Sequence, residues 1–275
     1  MISDAIESVL AQNYPNFEHI IVDGGSTDNT LDVLARYPHL IVLTGRDAGM
    51  YDALNRGLHV AAGEIITFLN SDDLYVPGVF GEAARLFEVA EPPDAVIGRA
   101  ITFWTSVERP SAHLSLDFEK GLLPEISLGG TAIMNAWFFR KQVFTQIGNF
   151  DASLKIAGDR ELCLRFVLSG MRAKEFPKVV YCYREHAGSL TLDSAAPQKI
   201  LRAGEETLRF IQRYRRENKI PAYTGLFRDW QNEQLLSLAR VSFHHFLLLD
   251  FLRFASIGVL NDWRFPWLML GRILN

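Results

Sequence analysis

The chain has 275 residues, 48% of them hydrophobic and 22% charged, with a net charge of −4. That hydrophobic share supports a sizeable core and excludes bulk disorder, and the mild acidity excludes a dedicated nucleic-acid binder. Two cysteines, Cys163 and Cys182, form no CxxC pair, so neither a disulfide framework nor a zinc site is expected and a cytoplasmic setting fits.

In chain order, Ile2, Ile6, Val9 and Leu10 recur at helical spacing until Asn13-Tyr14-Pro15-Asn16 ends the run. A strand is expected over Glu18–Val22. The loop Asp23-Gly24-Gly25-Ser26-Thr27-Asp28-Asn29-Thr30 follows, rich in residues that tolerate turns and cap helices. A short helix then runs to Arg36, and Leu40–Thr44 reads as a second strand. The spacing of Met50, Leu54, Leu58 and Ala61 predicts a helix from about Met50 to Ala62, stopped by Gly63. Ile65–Leu69 is a buried strand that runs into Asn70-Ser71-Asp72-Asp73. This alternation predicts an α/β fold, a mostly parallel nucleotide-binding sheet flanked by helices. Ligands of such sheets bind at the carboxyl ends of the strands, where the loops at Asp23 and Asp72 both fall.

Further on, Ala95–Phe103 and Lys178–Tyr183 look like strands, and Asp159–Leu168 is a helix stopped by Gly170. From about Gln198 the pattern is helical to the end, with Pro221 and Pro266 as interruptions. The expected division is a catalytic domain over 1–197 and a helical extension over 198–275. No basic-then-apolar leader opens the chain. Its longest apolar region, 246–260, is broken by Asp250 and Arg253, so no membrane span is expected.

Two adjacent carboxylates such as Asp72 and Asp73 repel one another unless a cation or hydrogen-bond donors compensate. A hard divalent ion shared with substrate phosphates is one solution; an acidic turn capped by its own side chains is the other. Asp52 and Asn55 are three apart at a helix start, where free N–H groups favour an anion, though a first-turn acid needs no ligand to be stabilising. Asp159 likewise suits either a helix N-cap or a proton acceptor.

Three segments decide among these readings. They are Ile20-Ile21-Val22-Asp23-Gly24-Gly25-Ser26-Thr27-Asp28, then Asp47-Ala48-Gly49-Met50-Tyr51-Asp52-Ala53-Leu54-Asn55-Arg56-Gly57, then Gly63-Glu64 with Phe68-Leu69-Asn70-Ser71-Asp72-Asp73. In order and spacing they resemble the family 2 glycosyltransferases, a likeness that covers about residues 2–190. The resemblance implies a GT-A-like fold and inverting transfer of a sugar from a nucleoside diphosphate, usually with Mn²⁺ or Mg²⁺. It also places a β-strand and a nucleotide-contacting loop ahead of the opening helix, so the first strand is expected to be missing from the sequence as it stands.

Carried over by position, Asp23, Asp47, Asp52 and Asn55 would bind nucleotide or donor sugar, and Asp72 the diphosphate through a metal shared with Asp73. Gly24 stands where many members carry a second Asp, and Asn70 and Ser71 replace acids of the fuller metal motif. The resemblance makes Asp159 the catalytic base, with Gly158 where members carry Glu and with Glu161 as the fallback. Segments 129–132, 138–144, 147–151 and 181–189 resemble further stretches of the family. On the acceptor side, Trp137 and Glu161 are candidates, although a Trp among Phe residues also suits the core. His186 would touch the diphosphate or metal, or serve as an ordinary surface residue.

The expected partners are a nucleoside-diphosphate sugar, with a UDP-sugar favoured, and a glycan or lipid-linked acceptor. The tail carries Arg209, Arg213, Arg215, Arg216 and Lys219, then Trp263, Phe265, Trp267, Leu268 and Leu270. That composition suits a peripheral membrane contact, while apolar positions spread around the helices suit burial, against the catalytic domain or in a homodimer. A non-catalytic member of the same fold is the alternative. A nucleotidyltransferase is disfavoured, because no glycine-rich basic phosphate loop is present, and a dehydrogenase because no GxGxxG follows a strand.

Overall fold

The computed structural model describes residues 1–104, 106–129, 133–186, 197–217 and 221–273. The matching segments at 130–132 and 187–189, and Lys219, lie outside them. The chain divides into two compact units: Met1–Ile126, Thr131–Ser153 and Gly158–Glu185 form the first, and Ser127–Gly130, Leu154–Ala157 and His186–Asn275 the second.

The first unit opens with α1 (Ile2–Leu10), whose Ala5, Ile6 and Val9 are buried at the expected helical spacing. β1 (His19–Asp23), α2 (Thr30–Leu34) and β2 (Leu40–Thr44) follow, and β1 pairs with β2 in parallel from His19 opposite Leu40 to Asp23 opposite Thr44. α3 (Met50–Val60) buries Tyr51 and Leu58. Then come β3 (Ile65–Ile66), β4 (Leu74–Tyr75), α4 (Val79–Phe87), β5 (Ala95–Phe103) and β6 (Pro110–Leu114). A single turn, α5 (Leu122–Pro124), leads on to β7 (Trp137–Arg140), α6 (Gln142–Ile147), α7 (Gly158–Leu168) and β8 (Ala173–Arg184).

β1 and β2 make a two-stranded sheet, and the other strands a six-stranded one in the order β3-β7-β5-β8-β4, with β6 on β5. The α/β class is as expected, but the pairing is mixed. β1–β2 and β5–β8 are parallel, whereas β3–β7, β5–β7, β5–β6 and β4–β8 are antiparallel. The reason is visible in the lengths: β3, β4 and β7 have two to four residues, too short to show a period of two in the sequence. Long-range pairing, not local pattern, makes them strands. Val96, Ala100, Phe138, Phe176, Val180 and Tyr181 close the core over this sheet together with Val9, Val79 and Ala83 from the helices.

Among the described residues the second unit holds the α-helices α8 (Pro197–Arg216), α9 (Thr224–His244), α10 (Leu248–Asn261) and α11 (Phe265–Ile273). Leu201 and Leu208 of α8 pack with Leu235, Leu238 and Ala239 of α9, and Phe254 and Phe265 complete the cluster. Pro221 interrupts the helices as expected. Pro266 instead falls in the first turn of α11, where its missing N–H has no helical partner to lose. Phe265 is buried, whereas Trp263 and Trp267 are 79% and 72% exposed. Among the described residues no helix is long and apolar enough to cross a membrane.

Candidate active site

Three of the acids singled out in the sequence gather beyond the carboxyl ends of β1 and β2. Asp23 ends β1 and is buried. Its carboxylate accepts the Ser26 hydroxyl at 2.5 Å and the N–H groups of Gly25 at 3.1 Å and Ser26 at 3.2 Å, which closes the loop into a tight turn. The Ser26 hydroxyl, followed by these N–H donors, holds the carboxyl below the usual carboxylate range. Gly24 is explained by its neighbour, since a Cβ there would lie 2.4 Å from Oδ2 of Asp47. The absence of a side chain at 24 lets the Asp47 carboxylate approach the Asp23 loop. Asp47 also accepts the Gly49 N–H at 2.9 Å, and Asp52 the Ala48 N–H at 2.9 Å, so the two acids brace the turn that starts α3.

Asn55 does not join them. Its amide donates to the Phe150 carbonyl and accepts the Phe150 N–H, both at 2.9 Å, and so ties α3 to the segment after α6. The expected donor contact is thereby replaced by a structural one. Arg56 is spent in the same way, on the carbonyls of Thr44 and Gly45 at the end of β2.

The pair Asp72-Asp73 separates into two environments. Asp73 is 1% exposed; Tyr181 Oη donates to it at 2.6 Å, the Arg184 N–H at 2.7 Å and Asn70 Nδ2 at 2.9 Å. Burial pushes its carboxyl up to about 6, against the pull of these donors. With both oxygens bonded and turned inward, Asp73 pins its loop to β8 and is not placed as a metal ligand. Arg184 adds a second clamp through Nε on the Asp72 carbonyl at 2.8 Å. Asp72 itself stays half-buried at the turn. Among the described residues no group of three or more His, Cys, Asp or Glu side chains could hold a metal. A single carboxylate still fits an ion whose other ligands are phosphate oxygens and water.

Asp159 shows a third environment. α7 begins at Gly158, so Asp159 lies inside the first turn. Its Oδ1 accepts the N–H of the next residue, Arg160, at 2.7 Å, rather than one two or three residues on as an N-cap would. Oδ1 also accepts the Tyr51 hydroxyl at 3.2 Å. Both of these bonds fall on Oδ1. Burial raises the Asp159 pKa above the ordinary carboxylate range, opposed by the Arg160 N–H and Tyr51 hydroxyl. Tyr51 is 1% exposed and stacks on Phe150 at 5.5 Å between centroids. Gly158 is needed for this approach, because a Cβ there would meet three Tyr51 ring carbons at 2.7–2.9 Å.

Two expected acceptor-side residues are instead internal. Trp137 is fully buried, stacked on Phe139 at 5.3 Å and edge-on to Phe166 at 5.5 Å. Glu161 is 1% exposed and bound to Arg165 Nε at 2.9 and 3.1 Å, while that guanidinium also reaches the carbonyls of Ile147, Gly148 and Asn149. This ion pair fastens α7 to the end of α6 and removes Glu161 as the fallback base. His186 follows β8, half-buried, in the second unit. Sequence reasoning missed Tyr51, Tyr181 and Arg184 as supports of the acids. Tyr51 had a signal, as the aromatic in the segment that opens α3; Tyr181 and Arg184 stand in the matching segment 181–189, but their bonds to the Asp72-Asp73 turn span more than 100 residues and left no pattern of their own.

The family model described as Glycosyl transferase family 2 matches residues 1–149. A PGL/p-HBAD biosynthesis glycosyltransferase of Mycobacterium tuberculosis is 31% identical over 190 residues, which cover 66% of this chain and 71% of the relative. An uncharacterized glycosyltransferase of Rickettsia typhi is 30% identical over 176 residues, 60% of this chain and 54% of its own. Among solved structures, S. aureus TarS 1-349 in complex with UDP-GlcNAc matches with a TM-score of 0.60 at 17% identity, over 97% of this chain and 88% of that one. This chain spans 46% of a longer TarS chain. The mannosyltransferase PcManGT from Pyrobaculum calidifontis, in complex with GDP-Man and Mn²⁺, matches at 0.55 and 17%, over 99% and 83%. At such identities the structural likeness speaks for the fold.

Proposed function

The chain belongs to glycosyl transferase family 2 and has a GT-A-like fold, and from that premise we propose an inverting transfer of a sugar from a nucleoside diphosphate to a glycan or lipid-linked hydroxyl, with Asp159 as the base. One observation carries this reading. Tyr51, at the start of the helix that follows the Asp23–Asp47–Asp52 cluster, bonds Asp159, 108 residues further along the chain. That bond joins the segment suited to the donor to the carboxyl suited to proton transfer.

The chemistry follows from the environments. Asp23, filled by donors of its own loop, shapes the turn at the strand ends where a nucleotide is read, and Asp47 beside that loop, with Asp52, offers acceptor oxygens there. Asp72 would hold a divalent ion on the diphosphate; when bound, that ion neutralises the charge of the leaving group. Asp159 Oδ2 takes the proton of the acceptor hydroxyl as its oxygen bonds to the anomeric carbon and the bond to the diphosphate breaks. A raised proton affinity makes Asp159 a better acceptor than a solvated carboxylate, and Tyr51 fixes the other oxygen so that one geometry is presented. The complex of TarS with UDP-GlcNAc supports a UDP-sugar as donor, and that of PcManGT with GDP-Man and Mn²⁺ supports a metal.

Calorimetric titration of UDP with and without Mn²⁺, followed by NMR of the product anomer, tests the reading. Tighter UDP binding with Mn²⁺, lost in Asp72→Ala, and an anomeric configuration opposite to the donor's are expected. A product that keeps the donor configuration removes Asp159 as a base acting in a single displacement.

A further inference from the structure

The helices of the second unit leave one apolar face open to solvent. α10 is apolar on two sides. Phe254 and Gly258 face inward, and Gly258 sits so close to Phe265 of α11 that a Cβ there would meet the ring at 2.2–2.4 Å. On the other side Leu249, Leu252, Ser256, Val259 and Leu260 recur at helical spacing and are exposed, Leu249 at 84% and Leu260 at 88%. Trp263 before α11 and Trp267 in its first turn add to the exposed apolar surface. The turn from α9 into α10 adds Phe246, 94% exposed and left-handed at φ 58°, a conformation that bulky residues rarely take. The Leu247 N–H on the Ser242 carbonyl at 2.8 Å and the Phe246 N–H on the Phe243 carbonyl at 3.1 Å hold this turn. The backbone thus keeps an aromatic ring out in water where a glycine would be free of strain. Apolar surface of this extent marks an interaction site.

The charges beside this face select the partner. α8 lies alongside α10 and runs in the same direction, joined to it by Arg253 on Glu205 at 2.8 Å and by Arg215 on Asn261 at 2.8 Å. Arg202, Arg209 and Arg216 share the side of α8 that carries Glu205, and all three are exposed. Glu205 itself is matched by Arg253 and, at 3.8 Å, by Arg209. Over residues 240–271 the exposed Asp, Glu, Lys and Arg side chains are Arg240, Arg253 and Arg264. Asp262 is turned inward to Asn232 and Arg264, and Asp250 is half-buried. The border of the apolar face is therefore basic. A second copy of the chain, meeting the face about a two-fold axis, would bring that border against its own image. An anionic lipid surface complements it instead, and takes up Trp, Phe and Leu side chains at the level of its headgroups. We propose that the exposed face of α10 and α11, with the arginines of α8 beside it, is a docking surface for an anionic lipid membrane. Docking there brings the chain to the surface where a lipid-linked acceptor resides, and it does not depend on which carboxylate is the base.

Flotation of the full chain with lipid vesicles tests this, using phosphatidylcholine alone and phosphatidylcholine mixed with phosphatidylglycerol. Binding to the mixed vesicles is expected, weaker on phosphatidylcholine alone and weakened further as salt screens the arginines. Leu249→Ser with Leu260→Ser should lower the partition coefficient by ~10–100-fold, because two leucines no longer leave water. Arg202→Gln with Arg216→Gln should cost roughly fivefold for each arginine on the mixed vesicles and leave the partition into phosphatidylcholine unchanged. All four residues are exposed, so Tm should stay at the wild-type value, and either pair carries the test if the other fails to fold. A wild-type chain that does not float with the mixed vesicles overturns the proposal. So does binding that is equal on the two kinds of vesicle, or that every variant keeps. A concentration-dependent dimer, seen by light scattering and lost in Leu249→Ser with Leu260→Ser, in a chain that binds no vesicle also overturns it and makes the face a contact between copies. Flotation by a chain that transfers no sugar supports the docking and counts against the catalytic reading alone.

Discussion

The two acidic pairs of the site invite comparison. Asp72 and Asp73 are adjacent, and Asp159 and Glu161 are two apart on one helix, yet each pair divides in the same way. One member is almost wholly buried with its oxygens committed: Asp73 to Tyr181, Arg184 and Asn70, Glu161 to Arg165. The other keeps part of its surface. A carboxylate whose lone pairs are filled by protein donors is a fastener, and it positions its neighbour. Here one fastener ties a loop to β8 and the other ties α7 to the end of α6. In the proposed reading the chemistry falls to the more exposed partner, Asp72 or Asp159, and residue type alone does not say which one that is.

Exchanging the roles is the sharpest way to break this comparison. Asp159→Asn is expected to lower transfer by ~10²–10⁴-fold, the usual contribution of a positioned proton acceptor, with UDP affinity and Tm nearly unchanged. Glu161→Gln should do the reverse: a stability loss of roughly 1–3 kcal/mol from a weakened buried pair, with turnover of the folded protein close to wild type. Rates and melting curves on both variants decide; a slow but stable Glu161→Gln would put the proton on the other carboxylate.

The same contrast at the first pair gives a smaller effect. Asp73→Ala should cost roughly 1–3 kcal/mol, because the Tyr181 hydroxyl and the Arg184 N–H lose a buried acceptor. Asp72→Ala should barely move the melting curve while it abolishes the Mn²⁺ effect on UDP binding. If Asp72→Ala lowers Tm more than Asp73→Ala, the division into fastener and working acid is wrong at this site.

The smallest expected effect lies in the two-stranded sheet. His19, beside His39 with ring nitrogens 3.4 Å apart, has its pKa lowered by burial and then by the neighbouring ring to about 4, from 6.5. The folded state therefore keeps His19 neutral where the unfolded chain already binds a proton. This contribution to stability is complete above pH 6.5 and is lost as the pH falls from 6.5 to 4. A drop in Tm of several degrees is expected across that window, reduced in His19→Gln. An unchanged pH dependence in the variant would show that other groups govern acid unfolding.

Much of the first unit was legible in the chain. The bounds of β2 and β5 coincide with those expected, and α1, β1, α3 and α7 fall within about two residues of theirs. These elements carry their own signals: helical or strand periodicity, turn residues, a glycine stop. The acids that line the β1 and β2 ends were legible too, because each stands in a loop directly after a strand or just before a helix. β4, β6 and β7 were not. They are short or irregular, and pairing partners far along the chain make them strands.

Residue types and spacing, then, determined the family, the α/β class and the set of acids from which the site is drawn. Those properties depend on near neighbours in sequence and on the order of motifs. Tertiary structure alone decided how each candidate is used: Trp137 as core, Asn55 as a brace on Phe150, Asp73 and Glu161 as fasteners, and Asp159 as the carboxyl whose proton affinity is raised. A carboxylate's role depends on how many donors reach it and how much water it has lost. Here those donors are Tyr51 and Tyr181, each brought from 108 residues away, a distance over which sequence pattern carries no information.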